Sequence, residues 1–245
     1  IRQVLQVEAP ALRAYSEQAR ILIARPAGGT SCRLAISAKG GTNAENHNHN
    51  DVGSYAVALG SETMVGDQGG PNSYPGDYFN GDAPQKYKIK GSIGHPVPVV
   101  DGRTQSSGGK AKGVVLQKEF TNEKDVFSID YTSAYSTPNL DKLIRTFVYD
   151  RQGKGNFTVG DEFTAKTPIR FETAITTRAD WKVLDDTHLL LATDSEQMIV
   201  AIDASGKVAF TSETIEVNSP AYTRIGIALK NQSKEGYIRL KMYTK

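Results

Sequence analysis

The sequence predicts an all-β chain of antiparallel sheets, on three observations. From Ile21 onward, short apolar runs of about four to eight residues, rich in Val, Ile, Thr, Tyr and Phe, are separated by Gly, Asn, Asp, Ser and Pro, which is the pattern of strands and turns. The runs Val126-Phe127-Ser128-Ile129-Asp130-Tyr131 and Ile225-Gly226-Ile227-Ala228-Leu229 alternate, as strands do when one sheet face is wetted. The sequences Ala204-Ser205-Gly206-Lys207 and Arg151-Gln152-Gly153-Lys154-Gly155 have the composition of hairpin connections.

In chain order, the stretch from Val4 to Ala19 has the only helix-like composition near the start, with Pro10 acceptable only in a first turn. It reads as a linker or short helix over residues 1–20. Strands are then predicted at 21–24, 33–38, 54–59, 63–66, 113–120, 126–131, 144–149, 156–159, 169–175, 189–191, 198–202, 208–211, 223–229 and 237–242. No repeat period appears, and no linker rich in Pro, Gly or Ser divides the strands after residue 30, so residues 21–245 are one β domain. At 245 residues such a chain can bury about 70–75% of its unfolded surface, enough for a core without staples. The irregular part is 67–109, with five prolines and nine glycines; a loop region that long inside a compact domain is usually functional.

Composition excludes several classes. With 29 basic and 27 acidic residues and no basic stripe, nucleic acid is not an expected partner. No apolar run approaches the eighteen or so residues of a membrane span, so no membrane partner is expected either. The single cysteine, Cys32, excludes an internal disulfide or a thiolate metal cluster, and its apolar neighbours mark it as a small buried hydrophobe. The chain starts at Ile1 rather than Met, which suggests a processed or truncated product.

The chemistry concentrates in Asn46-His47-Asn48-His49-Asn50-Asp51-Val52-Gly53-Ser54-Tyr55, which holds two of the four histidines. An extended segment would put His47, His49 and Asp51 on one face. Asp67 follows in Val65-Gly66-Asp67-Gln68-Gly69-Gly70, and His95 in Gly91-Ser92-Ile93-Gly94-His95-Pro96; the flanking glycines permit close backbone approach. Zinc takes about four ligands, and a His-His-Asp set with an open position suits it, while hydrogen-bonded structural histidines would suit the same spacing.

These motifs, with Tyr74 after Gly66-Asp67-Gln68-Gly69 and with Asp101-Gly102 and Gln105 after Gly94-His95, resemble the β-domain of heparinase II/III-type polysaccharide lyases. The resemblance extends more loosely through Arg145-Thr146-Phe147, Val159-Gly160-Asp161 and Ser219-Pro220-Ala221-Tyr222. It implies a large antiparallel β-sandwich of the supersandwich type, the C-terminal part of an enzyme whose N-terminal α/α toroid domain would complete the active site. It also implies zinc held by His49, Asp67 and His95, with His47 as the catalytic candidate facing an acidic, uronic-acid-containing polysaccharide, and a periplasmic or secreted location. β-Elimination on such a glycan needs a base, a donor and neutralisation of the uronate, and an imidazole of ordinary pKa near 6.5 can take or give a proton at neutral pH.

Other residues carry two readings. Tyr74 is the substrate-binding candidate and Tyr78 a second; both could stack on sugar rings or simply pack with a wet hydroxyl. Asp51 is either a support for an imidazole or a turn residue, and stays outside the metal set. His188 reads as a surface or structural residue and Trp181 as core. Two alternatives to a lyase remain: a non-catalytic carbohydrate-binding β-sandwich, and a cupin, which would want a glutamate a few residues after His-x-His where this chain has Asp51 and then only Glu62.

Overall fold

A computed structural model describes residues 11–71, 73–216 and 220–245. Its strands, in chain order, are β1 (Arg13–Ser16), β2 (Ile21–Ala24), β3 (Leu34–Lys39), β4 (Thr42–Asn43), β5 (Tyr55–Leu59), β6 (Glu62–Val65), β7 (Val99–Val100), β8 (Gly108–Lys112), β9 (Val114–Phe120), β10 (Lys124–Asp130), β11 (Leu140–Asp150), β12 (Asn156–Ile169), β13 (Phe171–Thr177), β14 (Asp180–Asp185), β15 (His188–Ala192), β16 (Gln197–Ala204), β17 (Val208–Ile215), β18 (Tyr222–Leu229) and β19 (Ser233–Thr244). One helical turn, α1 (Ala83–Lys86), and a 3-10 turn at Ser92–Gly94 lie in the irregular stretch.

Every predicted run is a strand, and the pairs are antiparallel. The eight-stranded sheet runs β14-β15-β16-β19-β12-β11-β10-β9, β4 pairs with β8 on its own, and two smaller sheets run β1-β2-β3-β5-β6 and β17-β18-β13-β7. These two join at a seam: the Gly66 amide donates to Thr176 O at 3.0 Å, and the hydroxyls of Thr176 and Thr177 donate to Gly66 O and Met64 O, each at 2.7 Å. The joined sheets form one layer that lies across the eight-stranded sheet, which makes the molecule a two-layer sandwich.

Alternation fills the space between the layers. On β11, Leu143, Arg145, Phe147 and Tyr149 point inward; on β3, Leu34, Ile36 and Ala38 do. Phe147 lies parallel to Phe157 and nearly so to Phe127, at 6.2 and 5.8 Å, with Tyr55 of the opposite layer edge-on at 6.2 Å. Phe163 of β12 stacks on Phe171 of β13 at 4.7 Å and closes the other end. Deleting one such ring costs about 3–5 kcal/mol, so these contacts decide the layer spacing. Cys32 is buried with its thiol 3.5 Å from the Tyr149 hydroxyl, and Trp181 packs against the core edge.

One segment departs from expectation. Within the linker or helix predicted for residues 1–20, Arg13–Ser16 is a strand paired with β2 from Arg13↔Ala24 to Ser16↔Ile21, while residues 1–10 lie outside the described part. The reason is tertiary. Tyr15 packs on Phe120 and Phe127 at 5.6 and 5.7 Å, and Arg13 donates to Asp125 at 2.9 Å. Those contacts override a weak local helix preference.

Candidate metal centre

The connection from β4 to β5 carries His47 and His49. It is not extended: the backbone is left-handed at His47, φ +56°, so the alternation that would align His47, His49 and Asp51 is broken. Polar side chains hold the turn in place. Gln105 accepts from Asn43 Nδ2 at 3.0 Å and from the Val52 amide at 2.9 Å, and donates to Val52 O at 2.7 Å. Ser92 donates to Asn50 O at 2.8 Å, and the Asn50 amide donates to Lys90 O at 2.8 Å. This network joins the His49 loop to the segment that leads into His95.

Asp67 leaves the sheet directly after β6. Gly66, φ +142°, has no room for a side chain, because a Cβ there would lie 2.5 Å from the Ala56 Cβ. The Asp67 Oδ1 accepts from the Gly69 amide at 2.9 Å, which leaves Oδ2 facing His95 Nδ1 at 3.9 Å. Before His95, a Cβ on Gly94 would meet Lys88 O at 2.5 Å, so glycine is what lets the 3-10 turn sit against the 88–89 backbone.

His49, Asp67 and His95 thus converge, with one ligand atom from each lying within 4.8 Å of the others. His49 Nδ1 is 3.1 Å from His95 Nε2. His95 is fully buried, and its Nδ1 has no hydrogen-bond partner among the described residues. Burial, then the neighbouring His95, lowers the His49 pKa to about 4, so its imidazole is neutral with a free lone pair at neutral pH. A neutral His49 imidazole, the buried His95 whose Nδ1 is unpaired, and an Asp67 carboxylate oxygen fit a zinc-type cation, whose ligands are these atom types.

The other predicted residues divide cleanly. His47 is exposed, outside the group, with its ring 4.5 Å from Phe79. Tyr74 is 58% exposed and its ring lies 5.0 Å from Tyr78 and 5.1 Å from Phe79. Tyr78 is buried beneath them; burial, Tyr74 and Asp67 push its pKa up to about 12. Asp51 is buried and paired with Lys39 at 2.7 Å, a support for the loop rather than a ligand. His188 begins β15, far along the chain, and faces Asp185 at 3.0 Å. A cupin would present His-x-His from a strand with a glutamate; here His47 and His49 lie in the loop between β4 and β5, and His49 groups with Asp67 and His95 instead.

Two residues beside the site escaped the sequence reading. Phe79, 49% exposed, continues the aromatic surface from Tyr74 to His47, and the pair Tyr78-Phe79 inside a Gly- and Pro-rich loop was its only signal. Lys90 is buried with Nζ on Tyr78 O at 2.7 Å, 4.7 Å from the Tyr78 ring and 5.2 Å from the Phe79 ring; burial lowers its pKa. Nothing in its local sequence distinguishes it from a surface lysine. A groove of about 570 Å³ on the solvent side of β11, β12 and β19, around Lys142, Glu162 and Arg239, contains none of these residues.

No family model matches the chain, and no curated protein does. Among solved structures, a mutant of heparan sulfate lyase HepC from Pedobacter heparinus aligns with a TM-score of 0.76 at 16% identity, covering 97% of this chain and 37% of that one. The unmutated HepC structure aligns at 0.75 and 14% identity, with the same coverages of 97% and 37%. Heparinase III aligns at 0.73 and 17% identity, covering 95% of this chain and 36% of the other. At such identities the likeness is one of fold: this chain has the all-β architecture of a little over one third of the heparinase III and heparan sulfate lyase chains.

Proposed function

We propose that this chain is the β-domain of a polysaccharide lyase that cleaves uronic-acid-containing glycans, of glycosaminoglycan or alginate-like type, by β-elimination outside the cytoplasm. The observation that carries the reading is the convergence of His49, Asp67 and His95, with His47 left exposed beside them, on a fold shared with heparan sulfate lyase structures. In the reaction a base removes the C5 proton, its bonding electrons form the C4=C5 double bond, and the C4–O4 bond breaks as O4 is protonated. His47 is the group of this chain that meets the substrate, as base or donor. Its left-handed backbone turns the imidazole away from the metal-binding atoms and against Phe79.

Zinc would be held by His49, Asp67 and His95, where it ties three chain segments together and sets a fixed positive charge beside the cleft. Tyr74 and Phe79 offer exposed rings against which a pyranose can stack. The remaining catalytic groups come from an N-terminal α/α toroid of the parent protein, so the isolated chain has little or no turnover.

The test uses the full-length parent on a panel of uronate polysaccharides, following the ultraviolet absorbance of unsaturated uronic products. The expected result is product formation by the parent and none by this chain alone. The exposed Tyr74–Phe79 pair also favours a non-catalytic sugar-binding reading. Saturable glycan binding without any unsaturated product would replace the lyase proposal with that one.

A further inference from the structure

We propose that Arg145 is a positioning residue for the His49–Asp67–His95 group: it fixes, from the core, the separation of the two loops that carry the histidines. Its consequence for metal binding rests on the function proposed above, whereas its geometry does not. Arg145 sits on β11 in the inward register between Leu143 and Phe147, and its side chain is fully buried. A guanidinium there must use all five of its N–H donors, because an unpaired one is costly in the interior.

It does so. Nε donates to Asp161 Oδ1 at 2.7 Å, and Nη2 donates to Asp161 Oδ2 at 2.6 Å and to Thr173 Oγ1 at 3.1 Å. Asp161 is itself held by the Tyr131 hydroxyl at 2.6 Å and the Thr173 hydroxyl at 2.7 Å. The rings of Tyr55 and Tyr131 lie 5.6 and 5.7 Å from the guanidinium carbon. The two-point grip on Asp161 fixes the plane of the planar fork and, with it, the directions of the remaining N–H bonds.

Those remaining bonds belong to Nη1, and both leave the core. One goes to Gly53 O at 2.7 Å and the other to Pro96 O at 2.8 Å. Gly53 closes the loop that holds His49, and Pro96 is the residue after His95. A single nitrogen of β11 therefore ties the two histidine-bearing loops to the core and to each other, beneath the Ser92 and Asn50 bonds between them. Lysine at this position keeps the charge but, as a compact ammonium with three donors, cannot grip Asp161 at two points and reach both carbonyls.

Amide hydrogen exchange on Arg145→Lys tests this, with Val159→Ala as a control that loosens the same sheet without touching the fork. Arg145→Lys is expected to speed exchange at Asn50, Gly53, His95 and Val97 by about ten-fold beyond any change in β14 to β16, and to weaken zinc about ten-fold or more in competition with a chelator. Val159→Ala is expected to change neither selectively. Should Arg145→Lys fail to fold, Thr173→Val, which removes one contact of the fork, is expected to give the same loop-confined pattern at smaller amplitude. Exchange that rises uniformly across the molecule, or not at all in the two loops, overturns the inference. A wild-type chain that binds no zinc overturns the metal reading instead, and the exchange comparison still decides the role of Arg145.

Discussion

His49 Nδ1 and His95 Nε2 stand 3.1 Å apart although 46 positions separate the two residues. Metal-free, that pair places two nitrogens side by side with Asp67 as the adjacent acid. The chain is expected to bind about one zinc, and His49→Ala or His95→Ala to abolish tight binding, read by elemental analysis after gel filtration. Zinc at a hundred times its Kd would stabilise the fold by about 2.7 kcal/mol, so chelation should lower Tm. Wild-type metal content in His49→Ala would take His49 out of the group.

The same histidine gives the metal-free protein a pH signature. Its pKa is lowered to about 4 in the fold, against about 6.5 when unfolded, chiefly by burial. Between these values the unfolded chain binds the extra proton, so stability is complete above pH 6.5 and falls as pH drops toward 4. The His49 share of that loss is on the order of 3 kcal/mol. Urea denaturation of the chelator-treated protein and of His49→Gln at several pH values checks it: the variant should show a flatter profile in this window.

His47 stands outside the metal group with its ring on Phe79. In the full-length parent, His47→Ala should reduce formation of unsaturated product by at least about a hundred-fold, within the range typical of a general acid or base, at unchanged zinc content. Full activity in that variant would remove His47 from the mechanism.

Gly66 has no space for a methyl group, its would-be Cβ lying 2.5 Å from Ala56 Cβ at φ +142°, whereas Gly28 has nothing within 4 Å. Gly66→Ala should cost about 2–4 kcal/mol, combining backbone strain with overpacking, and Gly28→Ala should lie within about 0.5 kcal/mol of wild type. Equal urea midpoints for the two variants would contradict the steric account.

The long strands were legible because their apolar runs and alternation are local. β12 extends past the predicted Val159 to Ile169 because Phe163 and Ala165 keep the inward register between polar neighbours such as Glu162 and Thr164, a pattern too mixed to stand out. Strands β1, β4, β7 and β8 escaped notice because each is short or polar and owes its form to a partner remote in sequence, as Arg13 does to Asp125, and β14 because it is a largely exposed edge strand. At the site, the glycines around Asp67 and before His95 announced close packing, which the geometry of Gly66 and Gly94 explains. The left-handed turn at His47 had no such signal, since Asn46-His47-Asn48 reads equally well as extended. Neither did the burial of Lys90, which depends on Tyr78 and Phe79 folding over it.

The seam where Gly66 meets Thr176 has a consequence for the order of events in assembly. Its contacts join residues 110 positions apart, and Asp67 leaves the sheet from that very point. A chain still emerging from the ribosome carries His49, Asp67 and His95 long before β13 exists to hold Asp67 in place or to complete, through Thr173, the Arg145 fork. The carboxylate joins the two histidines only when the two halves of the layer have met, so a cation arriving early finds an incomplete set of donors and one arriving late finds all three. Metal uptake would then report the completion of folding rather than guide its first steps.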